Sequence, residues 1–321
     1  MLFLDHDQIM RVLTLDETME SVERALRLYE QGQFVMPDRQ TISCGGDNVL
    51  ILMPCVAAGS MTAKILTLFP GNRAVNRPVI DGLVLLADQA NGEILCLADA
   101  KTITAMRTGA ITGVSIRYLA RSDATSVGLV GCGAQGFYQL LYACAARPIR
   151  RIALFDRYQG AVPPMIAKLS VALPGIEIHA APSPEALVRV SEIVITATTA
   201  KEPVFPDDPA LFEGRHFVAI GSFQPGVREY PDAIFARTAR VWVDTRFAAE
   251  ESGELLIPLQ RGKLQEGQLE TLGHLIQSGQ HPDRGMYGTT FFKTVGMALL
   301  DLTTAQMAYQ QALRSGIGTR L

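Results

Sequence analysis

A glycine-rich turn near the middle of the chain constrains the fold more than any other feature of the sequence. It follows a predicted apolar strand, Ser126–Gly131, and Gly131, Gly133 and Gly136 have the spacing G-x-G-x-x-G. A run of helical character, Phe137–Ala146, comes directly after it. In such a strand, turn and helix, the first glycine permits a tight turn, the second lets a pyrophosphate approach the backbone, and the third lets the helix pack on the strand. Because a helix N-terminus also offers unpaired N–H groups to phosphate, the sequence predicts a dinucleotide-binding βαβ unit.

An acidic residue stands where such a unit needs one. Asp156 comes twenty residues after Gly136, at the end of the apolar run Arg151–Phe155. An acid at this place binds the ribose hydroxyls of the adenosine half. Arg157 follows, and an arginine here could stack on adenine or neutralise a 2′-phosphate. A glycine turn of purely structural kind would not account for the acid, so we predict NAD(P)H as the cofactor, with use of both forms.

The pattern beyond Arg121–Asp123 alternates apolar strands with helical stretches. Helices are predicted to end at Ala146 and Ala172, and the predicted strands after Arg151–Phe155 are Ile176–Ala180, Ile193–Ala197, Phe217–Ile220 and Val241–Val243. Alternation of this kind is typical of parallel sheets. Residues 123–294 are therefore predicted to form a Rossmann-type, doubly wound parallel sheet of the α/β class.

The first third of the chain has a different pattern, that of a helix followed by an antiparallel sheet. Apolar residues recur at helical spacing over Thr14–Tyr29, with Thr14 or Asp16 as the N-cap. Asn91-Gly92 between the last two strand-like runs is typical of a tight hairpin. The predicted strands are Gln40–Ser43, Val49–Met53, Met61–Phe69, Ile80–Ala87 and Glu93–Leu97.

Two long helices complete this prediction. Asp99 is expected to cap a helix that ends near Leu119, and the segment Thr290–Leu313 is expected to be a helix that returns to the first domain. The chain is thus predicted to have a discontinuous α+β domain, residues 1–122 and 295–321, beside the dinucleotide-binding domain.

The composition excludes several other functions. A formal net charge of −3 without a long basic run argues against nucleic acid as a partner. We expect no membrane partner, because no stretch reaches the roughly 18 uncharged apolar residues that a span requires. The five cysteines are odd in number and lack a C-x-x-C, and the five histidines lack metal-ligand spacing, so no disulfide framework and no metal site are predicted. With no signal peptide at its start, the protein is expected to be cytoplasmic.

Three cations in the first domain are candidates for binding a carboxylate. Lys64 lies within the apolar run Met61–Phe69, and Arg107 lies among small residues in Thr104–Ala110. A lysine inside an apolar strand either points to solvent at an edge or needs a partner, and Arg107 could equally be an exposed helix residue. Arg39 gives a weaker signal and alone would be a surface residue. Together the three could clamp a carboxylate, because arginine offers a planar fork and lysine adds a point charge.

The chain resembles the ornithine cyclodeaminase/mu-crystallin family over nearly its whole length. The arginine of an Arg-Thr-Gly-Ala sequence, Arg107–Ala110, stands about twenty residues before the nucleotide loop, which is a distinctive spacing. The segments that carry the resemblance are Lys64 in its strand, Arg77-Pro78 with Gly82–Leu86, Ala105–Ala110, the Gly131 loop, Gly221–Gly226 and Thr290–Gly296.

The resemblance implies a homodimer in which the discontinuous domain binds the substrate and forms the dimer. It implies that Arg39, Lys64 and Arg107 bind the substrate carboxylate, with Lys64 and Arg107 also catalytic. For the cofactor, the resemblance implies contacts at Ala134, Gln135, Asp156, Thr198, Ile220, Gly221, Ser222 and Thr294. With the motif residues Gly131, Gly133 and Gly136, and with Arg107, Arg157 and Arg228, these make up the predicted cofactor site.

One departure from the family separates two activities. Ornithine cyclodeaminases have a catalytic aspartate in a Gly-x-Asp-x-Pro-Gly segment, and this chain has Phe223 there. The resemblance is closer to the branch that reduces cyclic imines, so we expect NAD(P)H-dependent reduction of Δ1-pyrroline-2-carboxylate to proline, or of its six-membered homologue, with Phe223 beside the substrate. A lyase that dehydrates hydroxyproline, an open-chain amino-acid dehydrogenase and a non-enzymatic binding protein stay open as alternatives.

Overall fold

The computed structural model describes residues 1–75, 77–222, 224–279 and 288–321. These residues divide into two compact units, Met1–Arg107 with Met297–Leu321 and Thr108–Gly296. The sequence predicts the first domain boundary between residues 122 and 123, after the long helix that it also predicts. In the structure the first unit ends at Arg107, which lies inside that helix. The second boundary lies two residues beyond the one that the sequence suggested.

The first unit begins with a short strand and two helices, which a series of further strands follows. Its N-terminal elements are β1 (Leu2–Leu4), α1 (His6–Val12), α2 (Leu15–Glu30), β2 (Phe34–Val35), β3 (Gln40–Ser43), β4 (Val49–Ala57), β5 (Ser60–Leu68), β6 (Ile80–Asp88) and β7 (Ile94–Asp99), followed by α3 (Ala100–Leu119). The predicted caps are present, because the Thr14 hydroxyl accepts a hydrogen bond from the Glu17 amide and the Asp99 carboxylate accepts one from the Thr102 amide.

The second unit alternates strands and helices. Its elements after α3 are β8 (Ser126–Val130), α4 (Ala134–Ala146), β9 (Arg151–Phe155), α5 (Val162–Ala172), β10 (Glu177–Ala180), α6 (Pro184–Arg189), β11 (Ile193–Thr196), β12 (His216–Ala219), β13 (Val241–Val243), α7 (Ala248–Glu251), α8 (Gly253–Gln260), β14 (Leu269–Thr271), α9 (Leu272–Ser278) and β15 (Thr290–Lys293). The chain then returns to the first unit as α10 (Ala298–Ser315) and β16 (Thr319–Arg320).

The predicted helix over Thr290–Leu313 is wrong at its beginning. Residues 290–293 form β15, a fully buried strand that pairs in parallel with both β12 and β13. Adjacent aromatic and β-branched residues favour a buried strand, and a continuous apolar run does not reveal its period. Gly296, with φ of +76°, then turns the chain before α10 begins.

The sheet of the first unit is mainly antiparallel. Its order is β16-β1-β7-β6-β5-β4-β2, with β3 also paired to β4. Strands β4 to β7 form an antiparallel meander, and β1 joins β7 in parallel. Helix α10 packs against α2 and against β4 and β5. Strand β5 is therefore central in the sheet, with one face under α10.

The sheet of the second unit is parallel throughout the part that the structure describes. Its order is β10-β9-β8-β11-β12-β15-β13-β14. The chain starts at β8, runs outward through β9 and β10, and then crosses to β11 on the other side. This reversal of direction is the switch point at which nucleotides bind in open α/β sheets. The predicted α/β class with a doubly wound parallel sheet is confirmed.

Within the described ranges, none of the helices combines the length and the apolar character that crossing a bilayer requires.

Candidate active site

Lys64 lies on the face of the central strand β5 that is covered by α10. Its register partners are Met53 on β4 and Val84 on β6, and its side chain is only 1 % exposed. A lysine buried to this degree requires a partner. The partner is Asp301 in the first turn of α10, whose Oδ2 accepts a hydrogen bond of 2.6 Å from the Lys64 Nζ.

Arg107 binds the same carboxylate from α3. Its Nε donates to the Asp301 Oδ1 over 3.1 Å, and both side chains are buried. One carboxylate thus bridges two cations through its two oxygens. The sequence prediction named both cations and missed Asp301, although an acid in the apolar stretch Ala298–Ala305 was a signal for it.

The neighbouring charges and burial shift the pKa values of Lys64 and Asp301. Burial is the main cause that lowers the pKa of Lys64, to about 8. The charge of Asp301 opposes this shift, and the charge of Arg107 reinforces it. Burial alone would raise the pKa of Asp301, but attraction by Lys64 and Arg107 and their hydrogen bonds lower it below its usual range. Arg39, half-buried before β3, is near enough for its charge to lower the pKa of Lys64 further.

The cluster retains donors that a small anion can use. Among the described residues, Lys64 donates one hydrogen bond, to Asp301, and two of its ammonium N–H groups stay available. Arg107 donates to Asp301 through its Nε, and its two terminal guanidinium nitrogens make no hydrogen bond within these residues. The buried hydroxyls of Thr62, two residues before Lys64, and of Thr104, one turn before Arg107, also lack a hydrogen-bond partner in this part of the chain. A terminal guanidinium fork beside an ammonium matches the geometry of a carboxylate.

In the second unit, the predicted cofactor residues lie along one edge of the parallel sheet. They follow the carboxyl ends of five neighbouring strands, in the spatial order β9, β8, β11, β12 and β15. The residues in that order are Asp156, the loop of Gly131 to Gly136, Thr198, Ile220 to Ser222, and Thr294. Because these strands are neighbours and parallel, the residues that follow them lie along a single edge of the sheet.

The glycine loop has the geometry that a pyrophosphate requires. Gly131 has φ of +105°, and a Cβ there would lie 2.5 Å from the Ala197 carbonyl oxygen. A Cβ on Gly136 would lie 2.5 Å from the Gly131 carbonyl oxygen, whereas a Cβ on Gly133 would meet nothing within 4 Å. Gly133 is the N-cap of α4 and supplies no side-chain cap for the first N–H groups of the helix. These residues therefore fit a bound dinucleotide phosphate.

Asp156 binds the backbone of the loops on both of its sides. Its Oδ2 accepts a hydrogen bond of 2.8 Å from the Cys132 amide, and its Oδ1 accepts one of 2.8 Å from the Tyr158 amide. Each carboxylate oxygen can still accept from a hydroxyl. Arg157 beside it is exposed.

A buried glutamate, Glu229, joins the loop after β11 to the loop after β12. The Oε1 of Glu229 accepts hydrogen bonds from the amide and the hydroxyl of Thr198, each at 2.8 Å. Its Oε2 accepts from the Thr196 hydroxyl and from the Gly221 amide, again at 2.8 Å. Glu229 is fully buried and was missed from the sequence. It sets the spacing of the loops after β11 and β12.

Several predicted cofactor residues have their side chains engaged within the protein. The Ser222 hydroxyl donates to the Val227 carbonyl and lies 2.9 Å from the Ser252 hydroxyl, and Thr294 donates to the Asp244 Oδ2 over 2.5 Å. Arg228 forms an ion pair with Asp232. In this structure the Ser222 and Thr294 hydroxyls are therefore engaged within the protein.

The remaining predicted residues are accessible or lie outside the described residues. Ala134 is exposed at the start of α4, and Gln135 and Ile220 are half-buried. Phe223 lies outside the described residues. No group of three or more histidine, cysteine, aspartate or glutamate side chains placed to hold a metal occurs in the described ranges.

Comparison with known proteins gives consistent results over the whole chain. The sequence profile of the ornithine cyclodeaminase/mu-crystallin family matches residues 1–316. A Δ1-pyrroline-2-carboxylate reductase of Bacillus cereus is 29 % identical, with 100 % of this chain and 99 % of that protein covered.

Two solved structures extend the comparison. The Δ1-pyrroline-2-carboxylate reductase of Thermococcus litoralis, in complex with NADH and L-proline, is 31 % identical with a TM-score of 0.92 and 100 % coverage of both chains. An archaeal alanine dehydrogenase dimer with bound NAD is 27 % identical with a TM-score of 0.90, covering 100 % of this chain and 98 % of that one.

Proposed function

The chain belongs to the ornithine cyclodeaminase/mu-crystallin family, and we propose that it reduces a small cyclic imino acid with NAD(P)H. The first candidate substrate is Δ1-pyrroline-2-carboxylate, which would give proline, and the second is its six-membered homologue. The observation that carries this proposal is the buried cluster of Lys64, Arg107 and Asp301, whose unused donors suit one carboxylate. The similarity to the Δ1-pyrroline-2-carboxylate reductases of Bacillus cereus and Thermococcus litoralis supports this proposal.

Each residue of the cluster has a distinct task in the proposed reaction. Arg107 binds the substrate carboxylate with its terminal nitrogens. The half-buried Arg39 adds a further positive charge that attracts this carboxylate. Lys64 has N–H groups for both the carboxylate and the ring nitrogen. A bound nicotinamide would supply a hydride to the imine carbon. Most of the rate enhancement then comes from orientation of the flat ring, because proximity and alignment alone are worth about 7–11 kcal/mol in favourable cases.

The proposed cofactor site consists of a subset of the residues that the sequence predicts. Asp156 binds the adenosine ribose, the loop from Gly131 to Gly136 binds the pyrophosphate, and Thr198 and Gly221 flank the nicotinamide half. Asp156 favours NADH and Arg157 favours NADPH, so we propose that both are used.

A screen with purified protein tests this function. Loss of absorbance at the reduced nicotinamide band is expected with Δ1-pyrroline-2-carboxylate and either NADH or NADPH, and the product should be proline. If no cyclic imine supports turnover with either cofactor, the proposal is wrong. Ammonia release from ornithine or loss of water from hydroxyproline would indicate a lyase instead.

An open-chain amino-acid dehydrogenase is the second candidate. The similarity to the archaeal alanine dehydrogenase, which extends over the whole chain, favours it. Ammonia-dependent oxidation of NADH with pyruvate, faster than imine reduction, would select this alternative.

We also propose that two copies associate through the first unit. The face of its sheet opposite Lys64 exposes apolar side chains in register, with Leu52, Ile65 and Leu83 on neighbouring strands. Ile65 is 47 % and Leu83 40 % exposed, which is unusual for aligned residues in the middle of a sheet. Light scattering should give a dimer mass, and Ile65→Asp should reduce it to that of a monomer.

The cysteines bear on where the protein works. All five are free thiols, as is usual in a reducing compartment. We therefore propose a cytoplasmic location.

A further inference from the structure

We propose that Asp301 is a positioning residue that keeps Lys64 available as the proton donor to the substrate nitrogen and turns the terminal edge of Arg107 toward the substrate carboxylate. This role rests on the function proposed above, because it concerns the same site. The family resemblance named the two cations for this site and gave no role to Asp301.

The geometry gives Asp301 two separate contacts. Its Oδ2 holds the Lys64 ammonium at 2.6 Å, and its Oδ1 holds the Arg107 Nε at 3.1 Å. The three residues come from a central strand, a helix of twenty residues and the first turn of α10. A carboxylate that is 1 % exposed and bound on both oxygens has little freedom to rotate, so it fixes both cations.

The contact with Arg107 determines which part of its guanidinium is available. Because Asp301 binds the Nε, the two terminal nitrogens keep their hydrogens for a ligand. Two parallel N–H donors of this kind match the two oxygens of a carboxylate. Loss of the Nε contact would allow the planar group to turn away from this alignment.

The contact with Lys64 opposes its deprotonation. The charged groups that face Lys64 are Asp301 on α10, Arg107 on α3 and Arg39 before β3. Cys55 on β4 is near the same carboxylate, and burial together with the charge of Asp301 raises the pKa of its thiol to about 12, so it stays neutral. Of the charges facing Lys64, only that of Asp301 raises its pKa, so removal of this charge should lower the pKa of Lys64.

The proton transfer balances with the proposed reduction. As the hydride adds to the imine carbon, the π electron pair of the C=N bond moves to nitrogen and takes a proton from the Lys64 ammonium. The product is a secondary amine, and Lys64 is left neutral and regains a proton from water. Lys64 must therefore be protonated at the start of each turnover.

The test compares Asp301→Asn with Thr303→Val, a change of similar size at a buried position on the same helix. Binding of pyrrole-2-carboxylate, a flat ring acid without a reducible C=N bond, is measured by calorimetry from pH 6 to 10 in the presence of NADH. Turnover of Δ1-pyrroline-2-carboxylate is measured over the same range. The carboxyl group of pyrrole-2-carboxylate is ionised over this whole pH range. A change in its affinity with pH therefore reports on groups of the protein.

The wild-type protein and Thr303→Val should lose affinity and kcat/KM above about pH 8, where Lys64 becomes neutral. In Asp301→Asn both losses should begin at least about one pH unit lower, the usual effect of removing an adjacent opposite charge. At pH 8 its kcat/KM should be about 10- to 100-fold below wild type, and its affinity for NADH alone should be unchanged. An unshifted pH dependence in Asp301→Asn overturns the proposal.

Asp301→Glu provides a second measurement if the asparagine variant does not fold. It retains the charge and displaces it by one methylene, so the pH dependence should stay within about half a unit of wild type while kcat/KM falls. A downward shift like that expected for asparagine would contradict the role given to the charge. A wild-type protein that binds pyrrole-2-carboxylate with this pH dependence and reduces no imine would refute the proposed function and leave the electrostatic role of Asp301 supported.

Discussion

Replacement of Glu229 by glutamine should weaken dinucleotide binding through the loops that this residue joins. Each of its carboxylate oxygens accepts two hydrogen bonds of 2.8 Å, and the two amides among the donors belong to Thr198 and Gly221. Glutamine places an NH2 group against one of these donor pairs. The hydroxyl of that pair can rotate to another acceptor, but the backbone amide cannot.

The size of the effect follows from the buried donors. A buried donor left without an acceptor costs about 1–3 kcal/mol, and the lost charge weakens the two remaining bonds, so we expect about 2–4 kcal/mol in total. For a unit of this size that corresponds to a fall in melting temperature of about 5–15 °C. Part of the same free energy should appear in binding, as an NADH affinity at least about tenfold weaker.

A matched variant separates this effect from general destabilisation. Glu192 precedes β11 at the opposite edge of the sheet, where it accepts hydrogen bonds from the Thr125 and Ser126 amides at 2.8 and 3.1 Å. Glu192→Ala should therefore lower the melting temperature to a comparable extent and leave NADH affinity within about twofold of wild type. Both are measured by scanning calorimetry and by titration of NADH fluorescence. If the two variants lose NADH affinity in proportion to their melting temperatures, Glu229 has no specific role in the cofactor site.

Further predictions concern the carboxylate site and the choice of substrate. Arg107→Ala should lower kcat/KM by about ten- to a few hundredfold with NADH binding mostly intact. Arg107→Lys should not restore kcat/KM, because an ammonium lacks the planar fork of a guanidinium. Near-wild-type kinetics of either variant would contradict the assignment of Arg107. The preference between NADH and NADPH should stay below about a thousandfold, some 4 kcal/mol, and Asp156→Ser should move it toward NADPH, as steady-state kinetics will show. Ornithine with NAD should release ammonia far more slowly than imine is reduced, because Phe223 replaces an acid that could hold and deprotonate the δ-ammonium; comparable rates in an ammonia assay would refute this.

The second unit was more predictable from the sequence than the site in the first. The turn from Gly131 to Gly136, the strand before it and the acid twenty residues later are local features, and their spacing follows from the geometry of a single βαβ unit. Capping signals such as Thr14 before α2 are local as well. The misread strand β15 shows the limit of this approach, because a short apolar run has the same composition in a buried strand and in a buried helix.

The partners of the buried charges depended on contacts that the sequence does not display. Lys64 and Asp301 are separated by 237 positions, and Arg107 and Asp301 by 194. Periodicity can show that each charge lies in an apolar element, and the cost of burial then requires a partner of opposite sign. Which partner it is becomes clear only when α10 is packed against β5. For the same reason Glu229 was missed, since its ligands come from loops after two different strands.

The charge of the cluster gives a physical reason for a preference among substrates. Two buried cations, Lys64 and Arg107, are set against one buried anion, Asp301, and the charge of the half-buried Arg39 adds to the positive side. In the proposed reaction, the carboxylate of a cyclic imino acid would offset this excess of positive charge. Ornithine would bring a further ammonium into a region that already contains two buried cations. A buried ion without a counter-charge costs several kcal/mol even after relaxation. The cyclodeaminases have an aspartate that can offset this cost, and this sequence has Phe223 in its place. On the proposed function, the excess of positive charge therefore disfavours a diamine, and substitution of Phe223 by aspartate should raise the affinity for ornithine while lowering kcat/KM for Δ1-pyrroline-2-carboxylate.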